Sequence, residues 1–167
     1  LQRQQDYWKQ QLNGASTLLN LPTDKPRPPV LSSNGDEYRF TIPDNIVNKL
    51  HKISQANNAT LFMTMLAAYS ILLSRYSQQS DICVGFPISG RNNKQLENII
   101  GLFVNNLVIR NSLIGNPTIN QYIQSVRNNT IDAYANQDIP FDLIIDALDI
   151  DRSLSYTPFL QASFSVE

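Results

Sequence analysis

The spacing of apolar residues divides the chain into helical and strand-like stretches. Ile46, Val47, Leu50 and Ile53 recur at helical intervals and predict a helix over residues 44–56. Residues 61–76 are apolar on almost every side, interrupted by Thr64, Ser70, Ser74 and Arg75, and predict a central helix with Thr60 as its cap. A third long helix is expected over 118–136, with Ile119, Tyr122, Ile123, Val126, Ala133 and Tyr134 inward. Thr118 and Gln121 have the spacing of a capping box at its start. Residues 1–12 carry Leu1, Tyr7, Trp8 and Leu12 as the apolar side of a helix that stops near Gly14. Asp138 is expected to cap a short helix with Pro140 in its first turn and Phe141, Ile144, Ile145 and Leu148 inward.

Four stretches read as strands. Residues 82–88 form a continuous apolar run, as a strand covered on both faces does, and 103–110 is a second such run. Residues 38–42 read as a short strand, and 160–166 alternate apolar with polar positions. The segment PTDKPRPP at 22–29 removes backbone donors and fixes φ, so it forms an extended connector that continues to about residue 37. Strands alternating with long helices place the chain in the α/β or α+β class, a central sheet covered by helices.

Composition narrows the function. The length of 167 residues suits one domain or one large lobe, and the 42% hydrophobic content suits a packed core. A net charge of −1 without a basic cluster argues against nucleic acid as a partner. The N-terminal LQRQQDYWKQQL has no apolar core and so is no signal peptide. The run at 61–76 is too short to span a bilayer, so no membrane partner is expected. A single cysteine, Cys83, excludes an internal disulfide; in its apolar run it reads as a buried, inert thiol suited to a reducing cytoplasm. The chain starts without Met and ends inside an alternating pattern, so a fragment of something longer is expected.

Complete enzymatic motifs are missing. One His and one Cys exclude H-E-x-x-H and zinc-finger spacings, so no metal site is expected. No P-loop, G-x-G-x-x-G or G-x-S-x-G occurs. His51 lies beside the apolar stripe of its helix, where a solvated flank is the common role. No catalytic residue is therefore assigned in this chain. Three segments still hold candidate chemistry. VGFPISGR at 84–91 brings Ser89, Gly90 and Arg91 to the end of a buried strand; Ser89 could donate to a developing oxyanion, or the segment is a plain turn. In IIGLFVNNLVIR at 99–110, Asn105 and Asn106 point to opposite faces of an apolar strand. A buried amide needs partners, so at least one Asn fixes neighbouring backbone or meets a substrate, and Arg110 reads as an ion-pair or backbone anchor. In ANQDIPFDLIIDAL at 135–148 the cap, the proline and Phe141 are mainly structural.

These segments resemble, in order, motifs of the condensation domains of nonribosomal peptide synthetases. IIGLFVNNLVIR is similar to I-G-x-F-V-N-T-x-x-x-R, with Asn106 in place of Thr. NQDIPFDLII is similar to Q-D-x-P-F-E-x-x-I, with Asp142 in place of Glu, and VGFPISGR to V-G-x-P-x-x-G-R. YWKQQLNGA followed by LPTDKPRP resembles the passage between the family's two lobes, and LFMTMLAAYSILLSRYS its central helix. RSLSYTPFLQASFS resembles the last motif at Arg152, Ser153, Pro158 and Phe159.

The resemblance implies the C-terminal lobe of a chloramphenicol-acetyltransferase-like fold, a two-layer α/β (α+β) sandwich whose mixed sheet is covered by long helices. Residues 1–37 would be the interlobe helix and connector, and 38–167 the lobe. In the family, two carrier proteins bring phosphopantetheine arms into a tunnel between the lobes, and the acceptor amine attacks the donor thioester. The signature H-H-x-x-x-D-G lies in the N-terminal lobe and is absent here. The resemblance puts Ser89, Gly90, Arg91, Asn105 and Asn106 near the tunnel. It makes Gly85, Gly101, Phe103, Arg110, Gln137, Asp138, Pro140, Phe141, Arg152 and Pro158 its supports. Partners would be the N-terminal lobe, donor and acceptor carriers, and a downstream adenylation domain. No cofactor would bind directly, the phosphopantetheine belonging to the carriers. A non-catalytic docking module, or an epimerising, cyclising or ester-forming relative, are the alternatives.

Overall fold

The two apolar runs pair with each other. In the computed structural model, which describes residues 1–91 and 94–166, β1 (Asp81–Ile88) and β2 (Asn105–Ser112) form an antiparallel ladder from Asp81 opposite Ser112 to Ile88 opposite Asn105. The helices are α1 (Gln2–Leu12), α2 (Asp44–Ala56), α3 (Leu61–Ser77), α4 (Lys94–Glu97), α5 (Ile119–Ala135) and α6 (Phe141–Ala147). Continuous apolar character meant burial on both faces, and that is how the strands sit. On one face Phe86 meets Phe62 of α3 and Tyr134 of α5. On the other, Arg110 reaches the end of α1, which also packs on α6.

Local signals set the helix starts. Thr60 Oγ1 accepts from the Met63 N–H at 3.2 Å, and Thr118 Oγ1 from the Gln121 N–H at 3.3 Å. Gln121 Oε1 in turn accepts from the Thr118 N–H, completing the box. The polar residues in the apolar helix α3 are spent on its neighbours. Thr64 bonds the buried Ser54 of α2 at 2.7 Å, and Ser70 Oγ accepts from Asn111 Nδ2 of β2 at 3.0 Å. Trp8 is fully buried, and its indole N–H donates to the Asn136 carbonyl at 2.9 Å, locking α1 against the end of α5.

Several expectations change. Residues 38–42 are extended but join no ladder among the described residues. Tyr38 and Phe40 stack on each other at 6.2 Å on one side while Arg39 pairs with Glu37 on the other. Alternation there marks extended backbone, not pairing. The strand expected over 160–166 shrinks to one parallel bridge, Gly85 with Ser163. Its first residues are drawn into a turn, the Leu160 N–H donating to the Thr157 carbonyl. Gly85 admits the crossing backbone: its N–H donates to the Ala162 carbonyl, and a Cβ there would lie 2.3 Å from Leu160 Cδ2. Asp138 does not cap α6. Pro140 occupies the N-cap position, ahead of the first turn and not inside it, without a side-chain cap bond. Asp138, two residues earlier, accepts from Gln4 of α1 at 2.9 Å. The second strand also begins at Asn105 and not Phe103, because the preceding residues belong to a loop held by Arg91.

Candidate functional site

The β1–β2 connection and the approach to α6 enclose a cleft of about 260 Å³. Gly90, Leu102, Phe103 and Val104 form one side, and Asn105, Gln137, Asp138 and Pro140 the other. Three of these, Gly90, Asn105 and Gln137, carry much of its shape. Gly90 has φ of 64° and packs so tightly that a Cβ would sit 1.9 Å from the Phe103 carbonyl oxygen. Asn105 Nδ2 donates to the Gln137 and Ile139 carbonyls at 3.1 and 2.8 Å. Its Oδ1 accepts from the Phe141 N–H at 3.1 Å and the Asn106 N–H at 3.0 Å. Of the two readings left open for Asn105, the amide is therefore engaged in fixing backbone, as a half-buried amide in an apolar strand must be. That same fixing holds the 137–141 turn against the cleft.

Ser89, Arg91 and Asn106 stand outside this lining. Ser89 is exposed, and its Oγ accepts from the Arg91 N–H at 3.5 Å. Asn106 is exposed at the strand start. Arg91 turns inward onto the loop: Nη1 donates to the Leu96 carbonyl and, at 2.9 Å, to that of Ile99. Nη2 donates to the Gly101 carbonyl at 3.3 Å, and Cζ lies 4.5 Å from the Phe103 ring centre. The loop so held exposes Ile100 and Leu102 at 101% and 90%, with Ile99 and Val104 about half exposed. Leu102 and Val104 were not singled out as cleft residues from the sequence. The hint was there, since Gly101 interrupts what otherwise reads as one apolar strand.

A larger cleft, about 500 Å³, opens at the opposite end of the ladder beside Tyr7, Gln11, Asp81, Arg110 and Asn129. Its volume does not make it the better site, because its charged groups already satisfy each other. Arg110 Nε and Nη2 grip both Asp81 oxygens at 2.7 to 3.0 Å, and Nη1 donates to the Gln11 and Asn13 carbonyls. The Asp81 hydrogen bond raises the Arg110 pKa further above its ordinary value. Asn129 Nδ2 donates to the Arg110 carbonyl at 2.8 Å. Arg110 is thus an ion-pair and backbone anchor.

Titratable groups elsewhere are muted. Burial, aided by Asp81, pushes the Cys83 thiol up to about 12, so its nucleophilic form is scarce near neutrality. Burial and then Asp132 push Tyr7 up to about 12. His51 is exposed on α2, away from the lining of either cleft. Among the described residues no group of His, Cys, Asp and Glu is placed to hold a metal ion, and no single helix is long and apolar enough to cross a membrane. Arg152 pairs with Asp146 at 2.8 Å and Asp142 at 3.4 Å on the surface. Pro158 is buried before Phe159, whose N–H donates to the Thr17 carbonyl at 3.0 Å.

The β1–β2 ladder, covered by helices and carrying a cleft at one strand end, makes this an α+β lobe. The family model of the Condensation domain matches residues 1–167, and the chain belongs to that family, as a C-terminal lobe of a nonribosomal peptide synthetase condensation domain. It is 40% identical over 167 residues to bacitracin synthase 3 of Bacillus licheniformis, covering 100% of this chain and 3% of that protein. The chain thus spans only a small part of the length of such relatives. A solved four-domain nonribosomal peptide synthetase bound to AMP and glycine matches with a TM-score of 0.92 at 26% identity, over 96% of this chain and 12% of the other. The X-domain from teicoplanin biosynthesis, solved in complex with OxyB, matches at 0.92 and 25% identity, over 96% of this chain and 35% of the other.

Proposed function

We propose that this chain forms one wall of a condensation cleft, in which a carrier-bound amine attacks a carrier-bound acyl or peptidyl thioester to form an amide. The carrying observation is the full-length family match together with the cleft at the β1–β2 connection. On this reading residues 1–37 are the interlobe helix and connector and 38–167 the lobe. Ser89, Gly90, Arg91, Asn105 and Asn106 belong to or flank the tunnel wall. Gly85, Gly101, Phe103, Arg110, Gln137, Asp138, Pro140, Phe141, Arg152 and Pro158 hold it in place. The partners are an N-terminal lobe, two carriers with phosphopantetheine arms, and an adenylation domain, all in the cytoplasm. Tethering both substrates makes their encounter effectively intramolecular, so a wall that aligns them supplies much of the rate. The proton transfers belong to the other lobe.

The test is an amide-forming assay between loaded carriers. A condensation domain that carries this chain joined to an N-terminal lobe with an intact H-H-x-x-x-D-G should form product. The 167-residue chain alone should form none. Product from the chain alone, or none from the joined domain, contradicts the reading. A second reading, a docking module without chemistry, draws support from the X-domain, whose solved complex is with OxyB. A degenerate upstream signature would favour it.

A further inference from the structure

The Arg91 side chain gathers the backbone of the cleft loop. Three carbonyls, those of Leu96, Ile99 and Gly101, converge on its guanidinium, and the Phe103 ring lies 4.5 Å from Cζ. Leu96 lies in α4, and the other three lie in the irregular stretch after it that delivers Leu102, Phe103 and Val104 to the cleft. Irregular backbone needs partners for its carbonyls, and a planar fork with several fixed donors can serve several at once where an ammonium serves them only as a point charge. The chain also pivots immediately before Arg91, at Gly90, against the Phe103 carbonyl. The Arg91 side chain and the close packing at Gly90 thus tie the loop, together with the Ile99 N–H bond to the Leu96 carbonyl.

We propose that Arg91 is a positioning residue: it presets the loop 96–103 in the geometry that receives the tethered substrate, without touching that substrate. The inference rests on the reading of the cleft as a condensation wall, and adds which residue shapes it. Removing the clamp leaves the β1–β2 ladder intact, because none of these bonds belongs to it. It lets the loop sample other conformations, so fewer molecules at any moment offer the receptive cleft. Substrate affinity then falls while the chemical step in the molecules that do bind is unchanged.

The experiment compares Arg91→Ala, Arg91→Lys and wild type in a condensation domain containing this chain. Amide hydrogen exchange is read residue by residue, and transfer is measured against the concentration of aminoacyl-loaded acceptor carrier. Arg91→Ala should speed exchange at Ile99, whose N–H is bonded to the Leu96 carbonyl, by roughly tenfold or more, with the amides of β1, β2 and α5 unchanged. Its KM for the loaded acceptor carrier should rise by about tenfold with kcat nearly constant. Arg91→Lys, which keeps the charge over Phe103 but loses the fork, should fall between. A purely structural role would instead lower the active fraction, and so kcat, at constant KM. Unchanged loop exchange in Arg91→Ala overturns the proposal. So does exchange that rises throughout the sheet, or a faster loop with unaltered KM. If wild type shows no transfer, the condensation reading fails, while the exchange arm still decides whether Arg91 holds the loop.

Discussion

Arg110 and Arg91 stand at opposite ends of the β1–β2 ladder and hold different kinds of neighbour. Arg110 grips a carboxylate with two nitrogens and uses the third for carbonyls at the end of α1. It joins secondary-structure elements that are themselves regular. Arg91 gathers carbonyls from one irregular loop and an aromatic ring on that loop. The larger cleft lies at the Arg110 end, the smaller at the Arg91 end. The two clefts differ in chemistry as well as in volume. A cleft whose charges are already paired to each other is scaffold. A cleft lined by an exposed apolar loop and a pinned turn is a surface prepared for something else.

Alkali should act most strongly on the scaffold end. Cys83, opposite Arg110 in the ladder, and Tyr7, beside it, are both held neutral by burial, with pKa values pushed to about 12 from ordinary values of 9.0 and 10.0. A raised folded value means the native state keeps its proton longer than the unfolded chain. That stabilisation is complete below the unfolded value and is lost as pH climbs from about 9 towards 12. Urea midpoints measured across that window should fall, and Cys83→Ala should flatten the early part of the fall. A flat profile in the parent protein would break the assignment of these groups to a buried scaffold.

Arg110→Ala comes next, at about 3 kcal/mol of global stability, because it strands a partly buried Asp81 and the Gln11 and Asn13 carbonyls. Equilibrium denaturation reads it, and the loss should be shared by every probe in the chain. Asn105→Ala should cost about 2 kcal/mol, since two carbonyls and two N–H groups lose their partner. Its effect should stay at the cleft end, with faster exchange at Asn106 and Phe141 before any change in β1. Asn105→Asp should be no milder, because a carboxylate there faces the Gln137 and Ile139 carbonyls that the amide now serves.

What could be read in advance follows the range of the forces involved. The long helices and the Thr60 and Thr118 caps depend on residues three or four apart, and they stand where periodicity placed them, although Ile119 and Tyr134, expected inward, are exposed. β1 was legible because burial on both faces demands a nearly unbroken apolar run, whereas β2 starts and ends two residues later than its apolar run and is apolar only over Leu107–Ile109. The stretch at 38–42 misled because extended backbone alternates whether or not it has a partner strand. Asp138 misled for a related reason: a good capping residue two positions early is only a polar side chain, and Gln4, far away in sequence, claimed it. Arg110 was legible as an anchor from its place at a strand end. Arg91 was not, since its partners are scattered over a loop that has no periodicity to read.

Matched bulky substitutions in the two clefts test the contrast most directly. Val104 and Ile114 are both exposed, the first lining the smaller cleft and the second the larger. Each should accept tryptophan without loss of stability. In a condensation domain carrying this chain, Val104→Trp should lower the rate of amide formation between loaded carriers by roughly tenfold or more, as a misplaced substrate does. Ile114→Trp should leave that rate nearly unchanged. Equal rates in the two variants, or a greater loss from Ile114→Trp, would contradict the account.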